Sequence, residues 1–129
     1  MNKILIEVSI GELLDKTSIL EIKKDKIKDP NKLSFISDEL SKLKNELKKN
    51  VKIDAKLDDL HQSLKIINLR LWDIEDEKRK CEKEKDFTER FIKLSRDVHI
   101  LNDDRAKIKL EINNHTGSII KEIKEYTGY

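Results

Sequence analysis

The sequence is poor in residues that interrupt helices and in residues that cross-link a chain. Its 129 residues include only three Gly, one Pro and one Cys, and aromatic residues make up 5%. So few Gly and Pro residues favour long helices. Because Cys81 has no second Cys with which to form a disulfide or a metal site, we expect a protein of a reducing compartment, the cytoplasm.

Long apolar runs and blocks of one charge are also missing. No stretch approaches the ~20 apolar residues of a membrane span, and the run ILIEV at residues 4–8 is too short for a signal peptide. The formal net charge is +2, with Lys and Glu interleaved along the chain. We therefore expect a soluble protein whose main partner is neither a nucleic acid nor a membrane.

Charged residues, in contrast, are abundant and make up 42% of the chain. Disordered proteins share this composition, but here aliphatic residues recur at regular helical spacing, which a disordered chain has no reason to show. A chain of this length buries about two thirds of its unfolded surface, which is enough for a core without disulfides. We predict a single helical domain over residues 1–129.

The aliphatic spacing predicts an all-α fold. A short extended segment comes first, followed by helices at about 9–28, 31–49, 54–84, 87–114 and, as a short last helix, 118–126. Ser9 and Glu12 form the pattern of a capping box at the first helix start, and Asp29 with Pro30 begins the second helix. Gly117 is expected to end the fourth helix in a left-handed conformation.

Short connections make consecutive helices antiparallel neighbours. We therefore predict two helical hairpins that form a four-helix bundle or a coiled-coil-like assembly, because Leu and Ile alternate at spacings of three and four. The longer second hairpin should extend beyond the first by ~15 Å. Its end, EDEKRKCEKEKDFTERF (residues 75–91), is mostly charged and is a candidate surface for a protein partner.

Some apolar residues lack an obvious cover in this arrangement. Two helices alone should hide Ile74 and Phe91 poorly, and the ILIEV segment is β-prone, with an edge that seeks a partner. Both features predict that the protein forms a homodimer.

Three blocks of sequence go beyond what helical spacing requires. They are SIGELLDKTSILEIKKDKI at residues 9–27, LWDIED at 71–76 and FIKLSRDVHILNDDRAKIKLEINNHTGS at 91–118. In order and spacing they resemble a family of short bacterial and phage proteins, the domain of unknown function 6165, over most of the chain. The resemblance implies no activity, cofactor or catalytic residue.

Arg105 interrupts an otherwise aliphatic face of the fourth helix. If the third and fourth helices fold back near residue 85, Arg105 lies opposite about residue 66, within reach of Asn68 and Trp72. Glu21 of the first helix arrives at the same height. Because an unpaired buried guanidinium is strongly unfavourable, we expect Glu21 to pair with Arg105, with Asn68 accepting from spare donors.

Three interpretations of Arg105 remain open. It can belong to an ion pair that sets helix register, bind a ligand in a polar pocket, or extend to solvent. Trp72 is a core or interface anchor in the first case and a stacking wall in the second. The candidate cluster consists of Glu21, Asn68, Trp72, Asn102, Asp103, Arg105 and Lys109.

No metal or cofactor is expected. Two carboxylate pairs have the i, i+3 spacing by which some all-α enzymes bind Mg²⁺, but such pairs arise by chance in an acidic chain and are expected on solvated faces: Glu12 with Asp15, and Asp73 with Asp76. The three His residues lie far apart, and the sequence contains neither a Gly-rich phosphate loop nor a nucleophile elbow.

Two functions are therefore compatible with the sequence. The first is a non-enzymatic helical interaction module that self-associates. The alternative is a small ligand-binding protein or enzyme with a polar interhelical pocket around Arg105 and Trp72. A closed, fully paired environment of Arg105 would favour the first function, and an open concave one would favour the second.

Overall fold

Four α-helices make up about three quarters of residues 2–129. The computed structural model describes residues 2–129, and it contains no β-strand within them. The helices are α1 (Ile10–Lys26), α2 (Pro30–Asn50), α3 (Ala55–Glu84) and α4 (Glu89–Thr116). The predicted all-α class is confirmed, and each helix ends within two residues of its predicted position.

Local side chains explain where the first three helices begin. Ser9 Oγ accepts a hydrogen bond of 3.0 Å from the backbone N–H of Glu12. Asp29 and Asp54 cap α2 and α3 in the same way, with hydrogen bonds of 2.9 and 2.8 Å. Each cap satisfies a donor that the first helical turn leaves without an intrahelical partner.

The two long helices end in left-handed residues, Lys85 with φ of 57° and Gly117 with φ of 68°. The predicted helix at 118–126 is wrong, because residues 118–129 have no helical structure. A helix this short is marginal on its own. Ile119 and Ile123 also find no surface on which to pack, since they are 98% and 91% exposed.

The core of the protein draws on all four helices. Its main cluster consists of Leu14, Leu47, Leu57, Leu60, Leu64 and Ile112. A second cluster joins α1 to α2 through Leu20, Ile36 and Leu40. Burial of each such side chain is worth about 1.5–3 kcal/mol relative to exposure. These contacts fix α1 and so determine where its polar residues lie.

α1 is the central helix, because it packs against α2, α3 and α4, whereas α2 packs closely only against α1. α1 also packs along α3. Side-chain contacts join the two helices at Ser18 and Asn68, at Glu21 and Lys65, and at Lys26 and Asp73.

α3 and α4 run antiparallel. Hydrogen bonds join the two helices along their length: Glu77 to Arg90, Asn68 to Arg105 and Asp54 to His115. The expectation that two helices hide Ile74 poorly is wrong, since Ile74 is 8% exposed and Cys81 is fully buried. None of the described helices combines the length and apolar character needed to cross a bilayer.

Candidate functional site

Arg105 lies at a junction of α1, α3 and α4, but its predicted partner is elsewhere. Its Nη1 donates to Asn68 Oδ1 at 3.2 Å, which is the expected contact with Asn68. The expected ion pair with Glu21 is wrong. The Glu21 carboxylate instead accepts from Lys65 at 3.0 Å and lies 3.4 Å from His61 Nε2.

The flank of α1 on which Glu21 lies explains its different partner. Glu21 is at the expected height, because it contacts Lys65, next to residue 66. Its side chain, however, faces His61 and Lys65 of α3 rather than α4. Among residues 2–129, no carboxylate forms an ion pair with Arg105, whose only side-chain partner is Asn68.

Asn68 is held by a buried polar network. Its Nδ2 donates to Asp15 Oδ1 at 2.7 Å and to Ser18 Oγ at 2.8 Å, and Ser18 Oγ donates to the Asp15 carbonyl at 2.8 Å. Asn68 and Asp15 are each 5% exposed and Ser18 is fully buried. Because both amide hydrogens of Asn68 go to α1, its oxygen remains for Arg105, and the guanidinium is held in place.

Asp15 is therefore not on a solvated face, as its spacing from Glu12 had led us to expect. Lys109 of α4 lies 3.7 Å from Asp15, and its ammonium is 2.6 Å from both Glu12 and Glu122. Burial alone would lower the pKa of Lys109, but the hydrogen bonds to Glu12 and Glu122 and the negative charges nearby raise it. Lys109 thus stays charged and links α1, α4 and the end of the chain.

The start of α1 is tied to the end of α4. The Gly11 N–H donates to Asn113 Oδ1 at 2.7 Å, and the Ile10 N–H donates to Ser118 Oγ at 3.2 Å. A Cβ on Gly11 would lie 2.6 Å from the Lys109 carbonyl oxygen. Only glycine allows the two backbones to approach this closely.

A cleft of about 420 Å³ lies beside Arg105. Its lining residues are Ile19, Ile22, Asn68, Leu71, Trp72, Glu75, Asp76, Arg79 and Arg105. The volume falls within the range of about 300–1,000 Å³ typical of small-molecule sites. The walls are mainly apolar, and Trp72 is partly exposed. Arg105 is therefore in an open concave environment.

The other charged groups of this cleft are already paired. Arg79 donates to the Glu75 carboxylate at 2.6 Å, and the Lys80 ammonium lies 3.5 Å from Asp76. Among the described residues, Arg105 is the charged side chain of the cleft that has no oppositely charged partner.

A second groove, of about 760 Å³, lies on the other side of Arg105. It separates α4 from the C-terminal tail, which we define as residues 119–129. Lys124 and Tyr129 donate to the Asp103 carboxylate at 2.7 and 2.6 Å, and these hydrogen bonds lower the pKa of Asp103. The tail is thus held to α4 by polar contacts.

The predicted cluster is divided between the two spaces. Asn68 and Trp72 line the first cleft, Asn102, Asp103 and Lys109 line the second groove, and Arg105 lines both. Glu21 lines neither. The sequence reasoning missed Gly11, Ser18 and Asn113, although all three lie in the blocks that carried the resemblance.

Other reactive groups do not extend this site. Burial lowers the pKa of His61, and the neighbouring Glu21 carboxylate only partly opposes this effect. Within residues 2–129, no three side chains among His, Cys, Asp and Glu come together as metal ligands.

The comparison with known families agrees with the three sequence blocks. Residues 4–129 match the model of the family of unknown function DUF6165. The chain belongs to this family. No curated protein and no solved structure matches it.

The DUF6165 blocks meet at the site. The first block supplies Asp15 and Ser18, the LWDIED block supplies Trp72, and the third block supplies Arg105 and Lys109. The three blocks thus supply much of the polar network and of the cleft, whereas Asn68, which joins the network to Arg105, lies outside them.

Proposed function

We propose that this DUF6165 protein is a small-ligand-binding protein, whose ligand is an anion with an apolar body bound in the cleft between Trp72 and Arg105. The observation that carries the proposal is the guanidinium of Arg105, which lines an open cleft and has no carboxylate partner in residues 2–129. A partly buried charge without a partner is costly, and a bound anion would remove that cost.

The buried network supports this proposal. Asp15 and Ser18 orient Asn68, and Asn68 holds one nitrogen of Arg105. A binding group whose orientation is fixed before the ligand arrives loses less conformational entropy on binding. Ion pairs that only set helix register need no such open face, so the arrangement favours the ligand interpretation over the register interpretation.

Binding is a better proposal than catalysis for this cleft. Its two carboxylates, Glu75 and Asp76, are engaged with Arg79 and Lys80. The remaining lining groups offer a charge, an amide and apolar walls. Such groups fix the orientation of a ligand, whereas general acid–base chemistry needs a group free to exchange a proton with it.

Trp72 makes the proposal directly testable, because it is the single Trp of the chain. Titration with a panel of small carboxylates and phosphate esters should change its fluorescence and raise the melting temperature for at least one compound. Substitution of Arg105 by Leu should weaken binding at least tenfold. The matched control is Arg96→Leu, since Arg96 is exposed on α4 and does not line the cleft.

The control defines the outcome that counts against this function. Binding that survives Arg105→Leu, or that falls equally in Arg96→Leu, would exclude Arg105 as the binding group. A circular dichroism spectrum and a melting curve show whether each variant remains folded.

A second candidate function is self-association, in which residues 1–129 form one helical domain with two bundled hairpins and act as an interaction module. The N-terminal segment favours self-association, because Ile4, Leu5 and Ile6 are 87%, 87% and 76% exposed. Exposed apolar groups this close together are typical of surfaces that bind a partner. The charged hairpin end, residues 75–91, is the proposed surface for another protein.

Light scattering tests this second candidate. We expect a dimer at micromolar concentration and a monomer after Ile4 and Ile6 are both replaced by Ser. Ile66→Ser is the control, since Ile66 is 62% exposed but lies within α3, far along the chain from the N-terminal segment. A wild-type monomer, or loss of the dimer only in the control, would reject the proposed interface.

A further inference from the structure

We infer that the ligand of the Arg105–Trp72 cleft is a monocarboxylate with an apolar body of about one aromatic ring, rather than a phosphate or a nucleotide. This inference rests on the proposed function and adds the chemical class of the ligand. It is argued from the charges of the cleft, the geometry of Arg105 and the size of the apolar part of the cleft.

The charge balance of the cleft favours a single negative charge. Two arginines and two carboxylates line it, and Lys80, 3.5 Å from Asp76, adds a third positive charge, so these five groups sum to +1. Arg79 is bound to Glu75, and Glu77, which also contacts Lys80, is paired with Arg90. Among residues 2–129, Arg105 therefore remains as the cation for the ligand.

A phosphate monoester would exceed this single positive charge. It carries about −1.5 to −2 at neutral pH. After pairing with Arg105, the excess negative charge would lie in the same cleft as Glu75 and Asp76, and like charges at short range repel each other. A carboxylate, with one negative charge, leaves no such excess.

The geometry of Arg105 also suits a carboxylate. A guanidinium has five N–H donors, and the hydrogen bond to Asn68 uses one of them, at Nη1. The remaining donors include pairs that can bind both oxygens of one carboxylate in a planar, bidentate arrangement. Because Asn68 accepts one hydrogen bond from Arg105, the other N–H donors of the guanidinium remain for the ligand.

The size of the cleft sets the size of the apolar body. A cavity of about 150 Å³ is enough to bind benzene, so the cleft of about 420 Å³ can hold one aromatic ring and a short chain. Along α3, the eight residue steps from Asn68 to Asp76 span about 12 Å. The walls along this length include Ile19, Ile22 and Trp72.

Three small probes that differ in their charged group test the inference. They are 3-phenylpropionate, phenethyl phosphate and 3-phenylpropylamine, titrated into the full chain with Trp72 fluorescence and calorimetry as readouts. We expect 3-phenylpropionate to bind at least tenfold more tightly than either of the others. Arg105→Leu should remove this preference, and Arg105→Lys should keep a weaker part of it.

A charge substitution at the other end of the cleft sharpens the test. Glu75→Gln frees the Arg79 guanidinium and leaves the apolar walls unchanged. The cleft then has two free cations, so phenethyl phosphate should gain more affinity than 3-phenylpropionate does. Glu89→Gln is the control, because Glu89 is exposed in the first turn of α4 and does not line the cleft.

The outcomes separate the two levels of the proposal. If phenethyl phosphate binds the wild-type protein as tightly as 3-phenylpropionate, and does so through Arg105, the carboxylate inference is overturned and the binding function stands. If no probe changes the Trp72 signal at millimolar concentration and the panel of carboxylates and phosphate esters also fails, both are overturned. Should Arg105→Leu not fold, Arg105→Lys and Glu75→Gln still decide the ligand class.

Discussion

Substitution of Gly11 by Ala tests the contact between α1 and α4. In most helices this change is stabilising by about 1 kcal/mol, because Gly has a low helix propensity. Here the added Cβ would lie 2.6 Å from the backbone oxygen of Lys109, 3.0 Å from Asn113 Oδ1 and 3.2 Å from the Lys109 carbonyl carbon. The first of these contacts involves backbone, which cannot rotate away, so the helices must separate.

The size of the effect follows from two losses and one gain. Overpacking of this kind costs about 1–3 kcal/mol, and the Gly11–Asn113 hydrogen bond, worth about 0.5–1.5 kcal/mol, is weakened. After the gain in helix propensity, the net loss is about 1–3 kcal/mol of unfolding free energy. For a chain of 129 residues, each kcal/mol corresponds to about 4 °C, so the melting temperature should fall by roughly 4–12 °C.

Thermal and urea unfolding followed by circular dichroism measure this change. The control is Gly128→Ala, because a Cβ at Gly128 meets nothing within 4 Å. We expect the control to leave the melting temperature within about 2 °C of the wild-type value. An increase in stability for Gly11→Ala would refute the close approach of α1 to α4.

Three further predictions concern the same framework. Asn68→Ala should lower the unfolding free energy by about 2–4 kcal/mol in urea titrations, because Asp15 loses a buried donor, whereas exposed Asn45→Ala on α2 should change it little. Gly117→Ala should cost about 1 kcal/mol through its left-handed φ alone, measured by melting, since nothing crowds the added Cβ. Because burial lowers the pKa of His61, the folded state binds fewer protons there than the unfolded state. Above the unfolded pKa of about 6.5, His61 is neutral in both states and does not reduce the unfolding free energy. As the pH falls from there through the lower pKa of folded His61, the unfolding free energy decreases. His61→Gln should therefore flatten the pH dependence of melting on the acid side of 6.5, and an unchanged profile would contradict this assignment.

Local features of the fold could be predicted from the sequence. Ser9, Asp29 and Gly117 act within a few residues of their own positions, so their capping roles follow from short patterns. The left-handed Lys85 was not predictable in this way, because the usual signal for that conformation is Gly or Asn. The fifth helix was predicted from Ser118 as a cap after Gly117, but such a local pattern cannot show that the packing surface is missing.

The candidate site depended on which flank of a helix faces which neighbour, and a linear pattern does not contain this information. Counting residues along an antiparallel pair placed Asn68 near Arg105, because α3 and α4 share one axis direction. The same counting placed Glu21 level with residue 66, next to its contact Lys65, but it could not show that this side chain faces α3 rather than α4. Contacts such as Gly11 with Asn113 join residues 102 positions apart and leave no local signal in either segment.

The tie between Gly11 and Asn113 also bears on how the protein is made. A ribosome adds about 5–20 residues per second, so the 102 positions that separate this pair take roughly 5 to 20 s to synthesise. During that time the first turn of α1 lacks the side chains that later hold it. Until α4 has left the exit tunnel, the nascent α1 therefore keeps uncovered the apolar surface that α4 later buries.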